Sequence, residues 1–213
     1  MKAINDLILY HNKFDKLIVI IRHSNREHIP NGVHDIITPI NDIGKINAQK
    51  VGKLLQKFDL KSIYTSPVDR CIQTSKNILI GYNKAFEIKE TEMLGEPGTY
   101  VFDREIAKNH FIKLSTKTVV EKQIEGERLE GIREIKEGSN ILKQFVIDKL
   151  ISLNKNELIV FVTHDAILAP FIYSLTGEKF GKNNWVDFLD GIVITKSSNK
   201  YYSIRKNQIN EIS

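Results

Sequence analysis

An α/β fold, with a mostly parallel central sheet flanked by helices, is what this sequence predicts, and three observations predict it. Lys16–Arg22 (KLIVIIR) and Glu157–Thr163 (ELIVFVT) are short, continuous and β-branched, the pattern of strands buried on both faces. Ser62–Thr65 is a shorter third candidate. Each is followed by a polar cluster and then by a helical pattern, the order expected of strand–helix units that build a parallel sheet.

The remaining elements follow along the chain. The first sixteen residues carry Asp6 within their apolar stretch and no small-residue cleavage pattern, so they do not read as a secretory leader. Asn41–Lys57 spaces Ile43, Ile46, Val51, Leu54, Leu55 and Phe58 as one helical face. Ser66-Pro67 has the form of a helix opening, serine as cap and proline in the first turn, with Ile72, Ile78 and Leu79 turned to the core. Ser139 is a candidate cap for a helix carrying Ile141, Leu142, Phe145, Val146, Leu150 and Ile151. A helix after His164 should stop at Gly177, and Pro170 inside it predicts a late start or a kink. Residues 96–138 differ: they follow the breaker-rich Gly95-Glu96-Pro97-Gly98 and are highly charged, so they read as an inserted excursion, a lid over one end of the sheet. Gly191–Thr195 and Tyr201–Arg205, around Ser197-Ser198-Asn199, form a hairpin pattern. No repeat and no linker divides the 213 residues, so a single domain is expected.

Bulk properties narrow the classes of function. The net charge of +5 comes from lysines scattered among glutamates, without the clustered basic face that nucleic acid requires. No apolar run reaches the ~20 residues of a membrane span. Cys71 is the only cysteine, so no intramolecular disulfide is possible, and a reducing, cytoplasmic setting is expected.

Ligands of open α/β sheets bind beyond the carboxyl ends of the strands. Three polar clusters lie there: Arg22-His23-Ser24-Asn25-Arg26, Ser66-Pro67-Val68-Asp69-Arg70 and Thr163-His164-Asp165. Their convergence would gather three arginines, two histidines and a carboxylate. Guanidinium forks suit phosphate oxygens and stay charged, and Arg70 would also sit at a helix N-terminus. An imidazole can accept a phosphoryl group and yield it to water, while a carboxylic acid protonates the leaving oxygen. Each residue also has a plainer reading: His23 as a structural histidine, Arg22 and Arg26 as surface charges, Asp165 as a helix cap. Ser24 lacks the Gly-x-Ser-x-Gly context of a serine nucleophile. His23, His28 and His34 match no zinc spacing, so no metal is expected.

Taken in order, these segments resemble the histidine phosphatase superfamily, which includes the phosphoglycerate mutases and the histidine acid phosphatases. Arg22-His23 resembles its Arg-His-Gly signature. Thr38-Pro39-Ile40-Asn41-Asp42-Ile43-Gly44 is similar to its entry to the first helix, Tyr64-Thr65-Ser66-Pro67…Arg70…Gln73-Thr74 to its Ser-Pro…Arg segment, and Val162-Thr163-His164-Asp165 to its second histidine motif. The resemblance implies a phosphoglycerate mutase-like fold, with His23 as the phosphorylated nucleophile. It also implies Arg22, Arg26 and Arg70 as the phosphate clamp and His164 completing the pocket. For the proton donor it offers Asp165, as in the acid phosphatases, or Glu96 or Glu92, in the segment where mutases carry a glutamate; Asp165 is favoured. Two departures stand out: Ser24 replaces the glycine after the nucleophile, and His28 occupies a position where acid phosphatases have proline. The activity implied is a phosphatase acting on a phosphorylated small molecule or protein side chain, without a cofactor. The alternatives are a phosphoglycerate mutase-type transfer and a non-catalytic module that binds phosphorylated ligands. Tyr100, Phe102, Arg104, His110 and Phe111 are the candidate contacts for the leaving group.

Overall fold

A computed structural model describes residues 1–30, 33 and 35–212. Its frame is a sheet of seven strands: β1 (Lys16–Arg22), β2 (Asp59–Thr65), β3 (Ile88–Glu90), β4 (Glu157–Thr163), β5 (Gly191–Ser197), β6 (Lys200–Arg205) and β7 (Gln208–Ile212), in the order β3-β2-β4-β1-β5-β6-β7. The first four in that order run parallel, and β5, β6 and β7 add an antiparallel edge. Helices α1 (Lys2–Tyr10), α2 (Asp42–Leu55), α3 (Asp69–Tyr82), α4 (Arg104–Ile124), α5 (Ile135–Ile151) and α6 (Asp165–Thr176) cover it.

The continuous apolar runs have the cause expected of them. In β1, Leu17, Val19 and Ile21 face a core shared with α1, α2 and α3, while Ile18 and Ile20 face a second core shared with α5 and α6. Successive side chains of a strand point to opposite faces, so a strand covered on both sides has no polar position to alternate with. β1 lies between β4 and β5, which puts the ends of β1 and β4 side by side at the centre of the sheet.

Several details depart from the sequence reading. Ile43 and Ile46 of α2 are 62% and 54% exposed; the buried face is instead Gly44, Ala48, Val51, Gly52 and Leu55. Small residues decide this face because α2 and α3 cross at backbone contact: a side chain on Gly52 would run into the Ile78 carbonyl, and one on Gly81 into that of Gln49. Helix α3 starts at Asp69 after Val68, later than Ser66-Pro67 suggests; the Ser66 hydroxyl accepts the Val68 N–H at 3.3 Å and also meets His164. Ile72 is only half-buried, whereas Ile78 and Leu79 are core. Helix α5 starts at Ile135, ahead of Ser139, whose buried hydroxyl bonds that of Tyr100 at 2.7 Å and so has a tertiary partner rather than a capping one. Helix α6 begins at Asp165 and runs through Pro170 to Thr176, with Gly177 in the left-handed conformation after it, so the proline does not delay the start.

Helix α1 and strand β7 are among the elements that carried no sequence signal. Helix α1 buries Ala3, Ile4 and Leu7 and is tied to the tail by Asp6, whose carboxylate accepts the Lys206 and Asn207 backbone N–H groups. Strand β7 extends the tail hairpin into a third strand. Within residues 96–138 the chain forms α4 and enters α5. Ser115 interrupts α4 with φ 69° and ψ 155°, and its hydroxyl accepts the Thr118 N–H, restarting the helix. Beneath α4 lies a small separate core of Ala107, Val119 and Ile132, joined by Val101, Phe111, Leu114 and Leu129.

Candidate active site

The carboxyl ends of β1 and β4 open into a cavity of about 720 Å³, lined by Arg22, His23, Arg26, Arg70, Glu96, His164 and Asp165 among others. His23 follows β1 directly; its backbone N–H donates to the Thr163 carbonyl at 2.9 Å, extending the ladder by one residue. The side chain is 2% exposed, and its Nδ1 lies 2.9 Å from the Ser24 carbonyl. A carbonyl only accepts, so Nδ1 carries the proton and Nε2 holds the free lone pair of the neutral ring. Burial, then the charges of His164, Arg22 and Arg70, hold its pKa well below the usual histidine value.

His164 occupies the matching position after β4, its ring centre 5.5 Å from that of His23. Its Nε2 is 2.9 Å from the Ser66 hydroxyl and 3.4 Å from Cys71 Sγ. Burial, reinforced by Arg70, pushes its pKa down to about 3, and burial pushes the Cys71 thiol up to about 12. Gly95 backs onto the His164 ring at φ 140°, where a Cβ would strike it.

The arginines reach the cavity from three places. Arg22 donates through Nη1 to the Val186 carbonyl and through Nη2 to Asp165 Oδ2, both at 2.7 Å, with its guanidinium 4.2 Å from the Phe188 ring centre. Arg26 donates to the Glu27 carbonyl, and Arg70, in the first turn of α3, to that of Asp35 at 3.0 Å. The Nε atoms of all three are buried without a protein acceptor. Burial and the charges of Arg70 and Arg22 lower the pKa of Arg26. Three crowded cations with unsatisfied donors form a site that an anion with several oxygens would complete.

The acid candidates separate clearly. Asp165 is the first residue of α6; Oδ1 accepts the Ala166 N–H at 3.0 Å, and Oδ2 accepts from Arg22 and from the Trp185 indole at 3.0 Å. Burial alone would raise its pKa, but Arg22, Trp185 and the two histidines outweigh it and hold the carboxyl below the usual range. Glu96 lines the same cavity and pairs with Arg104 at 2.5 Å, its side chain 17% exposed. Glu92 opens a 3₁₀ turn, is exposed and does not line the cavity. Asp165, which the sequence favours as proton donor, accepts three hydrogen bonds here, from Ala166, Arg22 and Trp185, which favour its carboxylate form.

Other residues find definite places. Ser24 points away from the cavity: its hydroxyl donates to the Gly44 carbonyl at 2.8 Å and its N–H to Thr74 Oγ1 at 2.9 Å, which ties the His23 loop to α2 and α3. His28 lines the cavity, while His34 lies outside the described residues. Among the described residues no group of three or more metal-ligating side chains could hold a metal ion. Of the leaving-group candidates, Tyr100 and Phe111 line the cavity, whereas Phe102, Arg104 and His110 do not. Trp185 and Phe188 were not foreseen. They sit in a loop before β5 with no periodicity, and two aromatics on either side of Asp187 were the only signal there.

Fold and cavity together define an α/β protein with a buried neutral histidine inside an anion cradle. The chain belongs to the histidine phosphatase superfamily (branch 1), whose family model matches residues 18–190. That places it among phosphoryl-transferring enzymes. Solved structures share the architecture. A phosphoglycerate mutase from Bacillus anthracis str. Sterne is 14% identical, with 92% of this chain and 96% of that chain covered at a TM-score of 0.62. A mycobacterial glucosyl-3-phosphoglycerate phosphatase is 12% identical, covering 90% and 98% at 0.63. YhfR of Bacillus stearothermophilus is 17% identical, covering 92% and 98% at 0.58. No curated protein sequence matches the chain. Among the described residues no helix is long and apolar enough to cross a membrane.

Proposed function

We propose that the protein is a phosphatase that hydrolyses a phosphomonoester, of a small molecule or a phosphorylated side chain, through a phosphohistidine on His23. The observation that carries this reading is the neutral His23 ring, pinned at Nδ1 to the Ser24 carbonyl, beside three arginines whose Nε donors lack acceptors. Arg22, Arg26 and Arg70 would hold the non-bridging oxygens, and His164 would close the pocket opposite. His23 Nε2 attacks phosphorus, the bond to the ester oxygen breaks, and an acid protonates the departing alkoxide. Water then attacks the phosphohistidine, losing its proton to the same group, and the N–P bond breaks to release inorganic phosphate. Positioning and neutralisation of charge supply most of the catalysis in such transfers.

We assign the proton donor to Glu96 rather than Asp165. Arg22 and Trp185 hold Asp165 as a carboxylate, so its role would be to orient Arg22. Glu96 stands on the cavity wall with Arg104, its partner, on the half-exposed rim. A reducing, cytoplasmic setting fits the single buried Cys71.

Rapid quench with a labelled phosphomonoester tests the reading. Release of inorganic phosphate by the wild type, lost in His23→Ala, is expected. Return of the label to a second substrate faster than its release would favour a mutase, and tight binding with no turnover of any ester would favour a binding module.

A further inference from the structure

Beyond the phosphoryl cradle, one wall of the cavity is apolar, beside a polar stretch of Ser115, Thr116 and Gln123. Ile29, Val33 and Ile36 line it from the loop after β1, and Val101, Phe111 and Ile132 line it from the excursion. The last three belong to the small separate core beneath α4, so this wall is packed and shaped rather than incidental. The apolar surface continues outward: Val33 is 55% and Ile36 37% exposed.

Charge points the same way. Once Arg22, Arg26 and Arg70 are engaged with the phosphoryl group, the described lining holds one further lysine or arginine, Lys117, whose Nζ lies 5.7 Å from the Trp185 ring centre, and the histidine His28. Against these stand Asp35 and Asp187, while the Glu96 carboxyl is matched by Arg104. The Asp35 carboxylate is held ionised: burial opposes this, but hydrogen bonds from Thr38 and Ile37 and the charge of Arg70 prevail. A second anionic group on the substrate, such as the carboxylate of a phosphoglycerate, would meet a surface with no net attraction for it. It would also lose water against the apolar wall of Ile36, Val101 and Phe111, whose side chains offer it no donor.

We propose that the natural substrate is a phosphomonoester with a bulky, uncharged, apolar leaving group, and that the wall formed by Ile36, Val101 and Phe111 selects it. The proposal rests on the phosphatase reading and names the substrate class of the same site. The apolar wall would bind the leaving group by area removed from water, and discrimination of about tenfold or more is the scale such contacts provide.

The test compares 2-phenylethyl phosphate with 3-phosphoglycerate, two alkyl phosphates that differ in apolar bulk and in charge. The full-length protein should show kcat/KM at least tenfold higher for the phenylethyl ester. Ile36→Lys, at a partly exposed position where folding is little disturbed, should reverse part of that preference by about tenfold. Phe111→Ala should lower it through KM. Equal or better use of 3-phosphoglycerate by the wild type, with phosphate still released, would overturn the substrate class while leaving the phosphatase reading intact. An unchanged preference in both variants would overturn the wall's role. No phosphate release from either ester, with no phosphoenzyme, would sink the phosphatase reading itself and the substrate class with it.

Discussion

The two sides of the cavity are built in different ways. On the strand side, His23 and His164 each follow a central strand by one residue, are almost fully buried, and are held by the ladder, by Ser24 and Ser66, and by arginines with several fixed contacts. On the excursion side, Glu96 stands at φ 59° after Gly95, Arg104 is half-exposed, and α4 breaks at Ser115 over a core of its own. The chemistry that every phosphomonoester shares is assigned to the over-determined side. The features that distinguish one leaving group from another are assigned to the side with fewer constraints. Binding and catalytic specificity is commonly carried by such connecting segments on a rigid scaffold.

Paired substitutions sharpen this contrast, and the largest effect is expected from the arginines. Arg22→Ala should lower kcat/KM by about a thousandfold or more, because it removes a phosphate donor and leaves Asp165 buried without its cation. Arg104→Ala, on the rim, should change it by less than about tenfold. Steady-state kinetics with one ester decides between them, and similar losses at both positions would break the comparison. The donor comes next. Glu96→Gln should slow an alkyl phosphate by about 100- to 10,000-fold, and 4-nitrophenyl phosphate far less, because nitrophenolate departs without a proton. Asp165→Asn should slow both esters alike. The opposite pattern would return the donor role to Asp165.

Stability responds on the strand side too. Gly95→Ala places a Cβ against the His164 ring at a φ of 140° that side-chain-bearing residues avoid, and should cost about 2 kcal/mol or more in denaturant unfolding. A further effect on stability is pH-dependent. His164, with a folded pKa of about 3, binds its proton less readily than in the unfolded chain. Its contribution is therefore complete above the unfolded value near 6.5 and is lost as pH falls from there towards 3, at ~1.4 kcal/mol per pH unit. His23 works in the same direction. Unfolding curves of His164→Asn should show a slope between pH 6 and 4 that is shallower by about that amount.

The strand side was also the legible side. β1 and β4 announce themselves because burial on both faces leaves unbroken apolar runs, and the polar residues closing those runs are the ones the sheet brings together. Helix ends were less legible: Ser66 accepts the Val68 N–H in a turn that precedes the helix while also meeting His164, and the Ser139 hydroxyl is taken by Tyr100 inside a helix already begun. Ile43 and Ile46 misled for a related reason, since glycine contact between α2 and α3 outranks apolar periodicity. Asp165 lines the cavity, but its ionisation depends on Arg22 and on Trp185, the latter twenty residues away on a loop without pattern. Helix α4 was invisible as a helix because its apolar positions serve a small local core and a break divides them.

The central claim is that His23 carries the phosphoryl group. Mixing the protein with a labelled phosphomonoester, quenching within one turnover in alkali and locating the label by mass spectrometry tests it most directly. An acid-labile, alkali-stable label on His23, absent from His23→Ala, is the predicted result. Label on any other side chain, or hydrolysis by His23→Ala at the wild-type rate, would contradict it.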